Sequence, residues 1–277
     1  MVKTYREALL RASSFLEAAG KEGHSIEFVF LARKGWNKTN WLLNMNQPIS
    51  PAEQAQIEAD LKQLLQNVPP QYLLGYEYFY GHQLKVNEAT LIPRPETEEL
   101  VDWVLKKNAA TPSKKVVDVG TGTGAIAISL KLARPLWHVT AVDIVPETLT
   151  VAQENAATLG AKLHFVLGDT LSWAKEEYDV IVSNPPYISA NEWALMDESV
   201  REFEPKIALF AAENGLAIYR KLARQAQKVL AKEGQIFLEI GFMQGKAVAE
   251  IFQQAFPQKK VEVKKDLSGN ERMVYVY

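Results

Sequence analysis

Cysteine is absent from the 277 residues. Its absence excludes disulfides and any zinc site built on thiolates, and it suits a reducing cytoplasm. Histidine is scarce, and His24, His82, His138 and His164 stand apart with no ligand spacing, so no metal site is expected. Long apolar runs are missing too, and no uninterrupted stretch is long enough to cross a bilayer. Met1 is followed by a charged amphipathic segment rather than a basic stretch and an apolar core, so no signal peptide is expected. A cytoplasmic protein without a membrane partner is the resulting expectation. Nor is positive charge in excess: 31 Lys and Arg against 33 Asp and Glu leave a net charge of −2. A non-specific grip on nucleic acid requires a basic surface, so no direct nucleic-acid partner is expected.

The chain is long enough for one full α/β domain with a small companion. Its most informative stretch is Asn184-Pro185-Pro186-Tyr187, which follows the apolar run Tyr178–Ser183. It therefore falls where a buried strand gives way to a loop, the edge at which an open α/β sheet meets ligands. Two successive prolines cannot continue a ladder or enter a helix interior, and neither brings an N–H. The carbonyls of Asn184 and Pro185 are left without regular partners. Asn184 adds a side-chain carbonyl, and Tyr187 adds a flat ring that can stack on a planar group. Such an acceptor-rich notch suits a planar NH2 group, although the same four residues also make an ordinary strand-ending turn.

A glycine-rich stretch upstream narrows the choice. Lys115–Val119 reads as a short strand, Gly120-Thr121-Gly122-Thr123-Gly124 follows, and Ala125–Ala133 reads as a helix. Glycines there allow a sharp turn and close approach to a ligand; with Ala125 in the sixth place the stretch also fits a relaxed dinucleotide fingerprint. Asp118 precedes the first glycine by two residues, and Asp143 ends the next strand, where an acid can accept from both hydroxyls of a ribose.

The order Asp118-Val-Gly-Thr-Gly-Thr-Gly124, Asp143, Gly168-Asp169 and Asn184-Pro-Pro-Tyr187 resembles a class I S-adenosylmethionine-dependent methyltransferase acting on a planar NH2 nitrogen. Pro70-Gln-Tyr-Leu-Leu-Gly75, Leu91-Ile-Pro-Arg-Pro-Glu-Thr-Glu98, Phe203-Glu-Pro205 and Leu238-Glu-Ile-Gly241 bring it closer to the release factor glutamine methyltransferases, the HemK/PrmC family. The resemblance implies a Rossmann-like sheet of seven strands, S-adenosyl-L-methionine as cofactor, peptide chain release factors as protein partner, and a monomer. It also implies a cofactor site at Asp118, Gly120, Thr121, Gly122, Thr123, Gly124, Asp143, Ile144, Asp169, Thr170 and Asn184. The catalytic notch is then Asn184, Pro185, Pro186 and Tyr187, with Arg94 and Thr97 lining the substrate side. Asp169 would accept from the adenine amino group, against the plainer reading of a turn residue. Where the family often has an aromatic next, this chain has Thr170, with Trp173 close by.

Three segments are expected. Residues 1–75 read as a helical bundle whose role is docking of the protein substrate. Tyr5, Leu9, Leu10, Phe15 and Leu16 form one stripe expected to be buried, and Ile26, Phe28, Val29, Phe30 and Leu31 a second. Ser50-Pro51-Ala52-Glu53 is a capping box opening a helix to Leu65, with Ile57, Leu61, Leu64 and Leu65 on one face. Residues 76–92 read as a β-hairpin linker whose aromatics Tyr76, Tyr78, Phe79 and Tyr80 are expected to serve core or interdomain packing rather than a binding surface. Residues 93–277 alternate strand and helix as a parallel sheet requires, including a helix over 215–231 and a strand over 234–240.

A carboxamide nitrogen is a poor nucleophile, because its lone pair is delocalised into the carbonyl. Asn184 Oδ1 and the Pro185 carbonyl would hold both N–H bonds and aim the nitrogen, so positioning rather than a strong base carries the chemistry. Methylation of the glutamine in the Gly-Gly-Gln motif of release factors is the leading reading. N6-adenine methylation of DNA or RNA and a non-catalytic nucleotide-binding module are the alternatives.

Overall fold

Two helices begin by the same device. The side chains of Thr4 and Ser50 accept from the backbone N–H of Glu7 and Glu53, whose carboxylates reach back to the cap N–H groups, satisfying donors that a helix start leaves orphaned. The computed structural model describes residues 4–277, so the first three residues of the expected bundle lie outside the described residues. The chain divides into two units, residues 4–76 with Asp197–Phe203, and Glu77–Met196 with Glu204–Tyr277.

The first unit holds helices α1 (Tyr5–Ala18), α2 (Ser25–Lys34), α3 (Lys38–Asn44), α4 (Pro51–Leu65) and α5 (Pro70–Leu74). Tyr5, Leu9, Ala12 and Leu16 of α1 pack with Ile26, Phe30, Trp41, Ile57 and Leu64. Arg33 makes a two-pronged ion pair with buried Asp60, at 2.9 Å through both Nε and Nη2. Four side chains expected in this core are instead exposed: Leu10, Phe15, Phe28 and Leu65. The cause is angular. Leu10 and Phe15 lie about one residue, roughly 100°, from Leu9 and Leu16, and Ala8 and Ala12 take the inward places that the stripe lacked.

In the second unit the chain first makes a hairpin, β1 (Tyr76–Phe79) and β2 (His82–Lys85). Phe79 is buried and Tyr80 packs against the same core, whereas Tyr78 is 61% exposed, since neighbours along a strand face opposite ways. There follow α6 (Pro95–Lys107), β3 (Lys115–Val119), α7 (Ala125–Ala133), β4 (His138–Asp143), α8 (Pro146–Leu159), β5 (His164–Leu167) and β6 (Tyr178–Ser183). Next come α9 (Glu198–Phe203), which falls in the first unit and whose Glu202 accepts from Asn67 Nδ2 at 2.9 Å, and α10 (Lys206–Leu209). The chain closes with α11 (Ala217–Ala226), β7 (Leu230–Glu239), α12 (Gly245–Ala255), β8 (Val261–Lys265) and β9 (Glu271–Val276).

Seven strands form one sheet in the order β5-β4-β3-β6-β7-β9-β8, parallel except for β9, which runs against both neighbours. This is the class I methyltransferase arrangement. Adjacent residues of β3 serve opposite faces, with Val116 in the core beside α6 and α7 and Val117 in the core beside α11 and α12. The helix expected over 215–231 stops at Ala226, and extended backbone begins at Leu230 instead of Gly234. Tyr178 N–H bonds to the Val229 carbonyl at 2.8 Å, so pairing with β6 recruits residues of helical composition into the sheet.

Candidate active site

Strand register places the site. Val119 pairs with Val142 and with Ser183, Asp143 pairs with Leu167, and Ser183 pairs with Leu238, so five parallel strands end along one edge. The order reverses between β4 and β6 on either side of β3, which opens a crevice at the strand ends. A cavity of about 260 Å³ occupies it. It is lined by Gly120 to Thr123, Asp143, Ile144, Asp169, Thr170, Asn184 to Pro186, Arg94 and Thr97. Asp118, Gly124 and Tyr187 are not among the lining residues.

The glycine loop is held from beneath. Gly120 and Thr121 both donate to the Val142 carbonyl at 2.9 Å, and the glycines at 120, 122 and 124 have positive φ, which only glycine adopts without strain. Asp118 lies fully buried under this loop. Its Oδ2 accepts from Thr121 Oγ1 at 2.7 Å and from Ala127 N–H at 3.2 Å, while Oδ1 has no protein partner among the described residues. Burial pushes its carboxyl up to about 7, against those two hydrogen bonds.

Asp143 closes β4 and faces the cavity. Its two oxygens accept from the N–H groups of Gly122 (3.1 Å) and Val145 (3.0 Å), and the Ile144 N–H is also directed at the carboxylate. Burial raises its pKa and these bonds oppose the rise. Asp169 pairs with Lys221. Thr170 adopts a left-handed φ of 56°, unusual for a β-branched residue, and is held there by its 2.5 Å hydrogen bond to Gln225 Oε1. Trp173 turns away from the cavity: its Nε1 donates to the Thr170 carbonyl at 2.9 Å, and its ring packs by Tyr178 beneath Gly168.

At the notch, Ser183 Oγ donates to the Val119 carbonyl at 2.6 Å, tying the end of β6 to β3 immediately before Asn184. Asn184 Nδ2 donates to Thr97 Oγ1 at 3.1 Å, and Thr97 Oγ1 donates to Glu239 Oε2 at 2.6 Å. The Tyr187 ring packs toward Gly241 and the second core, and its carbonyl accepts from Gln244 Nε2 at 2.9 Å. A Cβ at Gly215 would collide with that carbonyl. Burial, with the nearby charge of Glu239, pushes the Tyr187 hydroxyl up to about 12. Arg94 pairs with buried Glu204, which also accepts from Ile92 N–H at 3.2 Å and so pins the proline-rich segment at the cavity wall.

Sequence reasoning missed Glu239 and the apolar wall of Ile207, Phe210 and Ile218. The signal for Glu239 was present: a lone acid within the apolar strand Gln235 to Ile240. Glu239 is fully buried and is pushed up to about 7 by that burial, opposed by Thr97, Arg272 and Asn184. The two raised acids fix a sign. Asp118 and Glu239 ionise at ordinary values when unfolded and hold protons longer when folded, so folding is favoured at the acid end of this window and weakened as pH rises through about 7. The melting temperature of the ligand-free protein is accordingly expected to fall between about pH 5 and about pH 8 by calorimetry; a rising one would mean that neither carboxyl is buried as described.

The comparisons with known proteins agree with this geometry. A family model described as "Methyltransferase small domain" matches residues 97–206, and one described as "PrmC N-terminal domain" matches residues 7–75. A release factor glutamine methyltransferase of Enterococcus faecalis is 57% identical over 99% of both chains. Its namesake from Lactococcus lactis is 46% identical over 96% of this chain and 98% of its own. Among solved structures, a methyltransferase from Pyrococcus furiosus aligns with a TM-score of 0.54 at 16% identity, covering 79% of this chain and 97% of that one, a likeness of fold. With near-complete coverage at such identity, the chain belongs to the release factor glutamine methyltransferase family.

Proposed function

We propose that this protein transfers a methyl group from S-adenosylmethionine to the side-chain amide nitrogen of the glutamine in the Gly-Gly-Gln motif of peptide chain release factors, in the cytoplasm and as a monomer. The observation that carries the reading is the notch. Asn184 has its NH2 end engaged by Thr97, and no hydrogen bond from the described residues reaches the Pro185 carbonyl, so two acceptors remain for one planar NH2 group.

The cavity fits the cofactor. Asp143 faces the cavity and can accept from ribose hydroxyls, and Ile144 is half exposed beside it as an apolar surface for a base. Asp169, already paired with Lys221, has a second oxygen for an exocyclic amine. Bound there, S-adenosylmethionine supplies an electrophilic methyl group on a sulfonium sulfur. The protein's own part is placement. Asn184 Oδ1 and the Pro185 carbonyl accept both hydrogens of the substrate amide, which draws the lone pair back onto nitrogen and aims it. Holding the reactants in a near-attack arrangement supplies about 7 to 11 kcal/mol, so no strong base is required and the surplus proton leaves to water. Incubation with labelled cofactor and either release factor or DNA tests the reading: label in the release factor is expected, and label in DNA alone would favour the adenine alternative.

The helical unit is assigned to docking the protein substrate. A groove beside Arg11, Phe15 and Leu61 runs between α1 and α4, with Leu10 and Phe15 exposed next to it. A glutamine in a glycine-flanked loop offers little surface, and a second contact raises its local concentration at the notch. Phe15→Ala is expected to raise KM for intact release factor by about fivefold or more, the size of about 1 kcal/mol, with no change on a short Gly-Gly-Gln peptide. Steady-state kinetics on both substrates checks this; an equal change on the peptide would count against docking.

A further inference from the structure

We propose that Glu239 is a positioning residue which, acting through the Thr97 hydroxyl, fixes the Asn184 amide with its oxygen turned toward the reacting group. The proposal rests on the reading of Asn184 as an acceptor for the substrate amide. The two ends of an asparagine amide have nearly the same shape, so packing cannot choose between them; only a hydrogen-bond partner can. A wrongly turned Asn184 would present a donor to the substrate NH2, donor facing donor, and the notch would reject what it must hold.

The chain of hydrogen bonds has a direction. A carboxylate only accepts, so the single Thr97 hydroxyl proton is committed to Glu239 Oε2 at 2.6 Å. Thr97 then has only lone pairs to offer, and the group that meets them at 3.1 Å is Asn184 Nδ2, whose amide is also directed at the Glu239 carboxylate, an acceptor that favours the same orientation. Oδ1 is left for the cavity that Asn184 lines. The three residues come from separate elements: Asn184 follows β6, Glu239 ends the adjacent strand β7, and Thr97 lies in the first turn of α6. Thr97 and Glu239 are 5% and 2% exposed, so water does not compete for these bonds. A position that needed only to close a strand core would hold an apolar side chain at less cost than a buried carboxyl.

Protonated, Glu239 can donate to Thr97, and the hydroxyl proton can then swing to Asn184 Oδ1 and turn Nδ2 toward the cavity. The charged and titratable groups facing Glu239 are Arg272 from β9, Glu96 from α6 and Tyr187 from the notch, while the Tyr219 hydroxyl on α11 donates to its backbone carbonyl at 2.8 Å. Arg272 favours the ionised, acceptor form; Glu96 and burial oppose it. Turnover is therefore expected to fall as pH drops through the Glu239 ionisation.

The test uses the full-length protein with a Gly-Gly-Gln peptide. Thr97→Val keeps the shape and removes the hydroxyl; it should lower kcat about tenfold or more, leave KM for S-adenosylmethionine within about twofold, and flatten the acid side of the kcat–pH profile. Thr97→Ser should restore both rate and profile. Glu239→Gln, which removes a buried charge and keeps the volume, should also lose the acid limb, whichever way its own amide turns. Wild-type kcat in Thr97→Val, or an unchanged acid limb in both Thr97→Val and Glu239→Gln, would overturn the proposal. Should Thr97→Val fail to fold, the Glu239→Gln profile decides alone. If Asn184→Ala itself kept full turnover, the reading of the notch would be at fault; if Asn184→Ala is inactive while Thr97→Val is normal, only the present proposal fails.

Discussion

Asn184→Ala is expected to lower turnover by about a hundredfold or more while leaving the fold and the affinity for S-adenosylmethionine close to those of the native protein. The side chain stands after the last residue of β6 and is directed at Thr97 and the Glu239 carboxylate, so its loss strips no ladder bond and removes no apolar side chain from the core. What is lost, on the proposed function, is one of two acceptors for the substrate amide. Removing a single preorganised polar contact from a transition state typically costs about 10²- to 10³-fold in rate. The effect should sit in kcat, because the remaining Pro185 carbonyl and the cavity walls still gather the substrate but no longer aim it. Initial rates at saturating peptide and cofactor decide the matter. A rate near that of the native enzyme would reduce Asn184 to a strand-ending residue.

Asp143→Ala is expected to weaken S-adenosylmethionine binding by about 1 to 3 kcal/mol, the cost of losing a charged hydrogen-bond partner, which is about 5- to 150-fold in Kd. Part of that loss is indirect. The carboxylate also holds the Gly122 and Val145 N–H groups, so its removal frees the glycine loop and the turn that leads into α8. Asp143→Asn separates the two contributions, since the amide keeps one acceptor for a backbone N–H and loses the charge. It should fall between the native protein and the alanine variant. Titration calorimetry provides the measurement, with a thermal melt to show that each variant is folded. Unchanged affinity in folded Asp143→Ala would remove the residue from the cofactor site.

What could be read in the sequence and what could not divide along a physical line. The strands Lys115–Val119 and Tyr178–Ser183 are mostly apolar runs followed by Gly120 and by Asn184-Pro185, and the structure gives both with those limits. The helix Pro51–Leu65 announced itself by its cap. These are local signals. The exposed faces of Leu10 and Phe15 and the early start of β7 depend on which neighbour a face meets, a matter of tertiary packing. The same holds at the site. The glycine loop, Asp143 and Asn184 lie together because each follows a strand end along one edge, as alternating strand and helix leads one to expect. Thr97 and Glu239, by contrast, are 142 residues apart, and Thr97 and Asn184 are 87 apart, so no spacing could suggest their hydrogen-bonded chain. Side-chain direction was equally hidden. Tyr187 sits in the motif but sends its ring toward Gly241, and Trp173 sits near Asp169 but packs into the core.

The most direct measurement is the position of the transferred methyl group. Release factor treated with the enzyme and isotopically labelled S-adenosylmethionine would be digested, and the peptide carrying Gly-Gly-Gln sequenced by tandem mass spectrometry. One labelled methyl on the side-chain nitrogen of that glutamine, absent when Asn184→Ala replaces the native enzyme, is the predicted result. Label on any other residue, or an unmodified glutamine beside labelled nucleic acid in the same mixture, would contradict it.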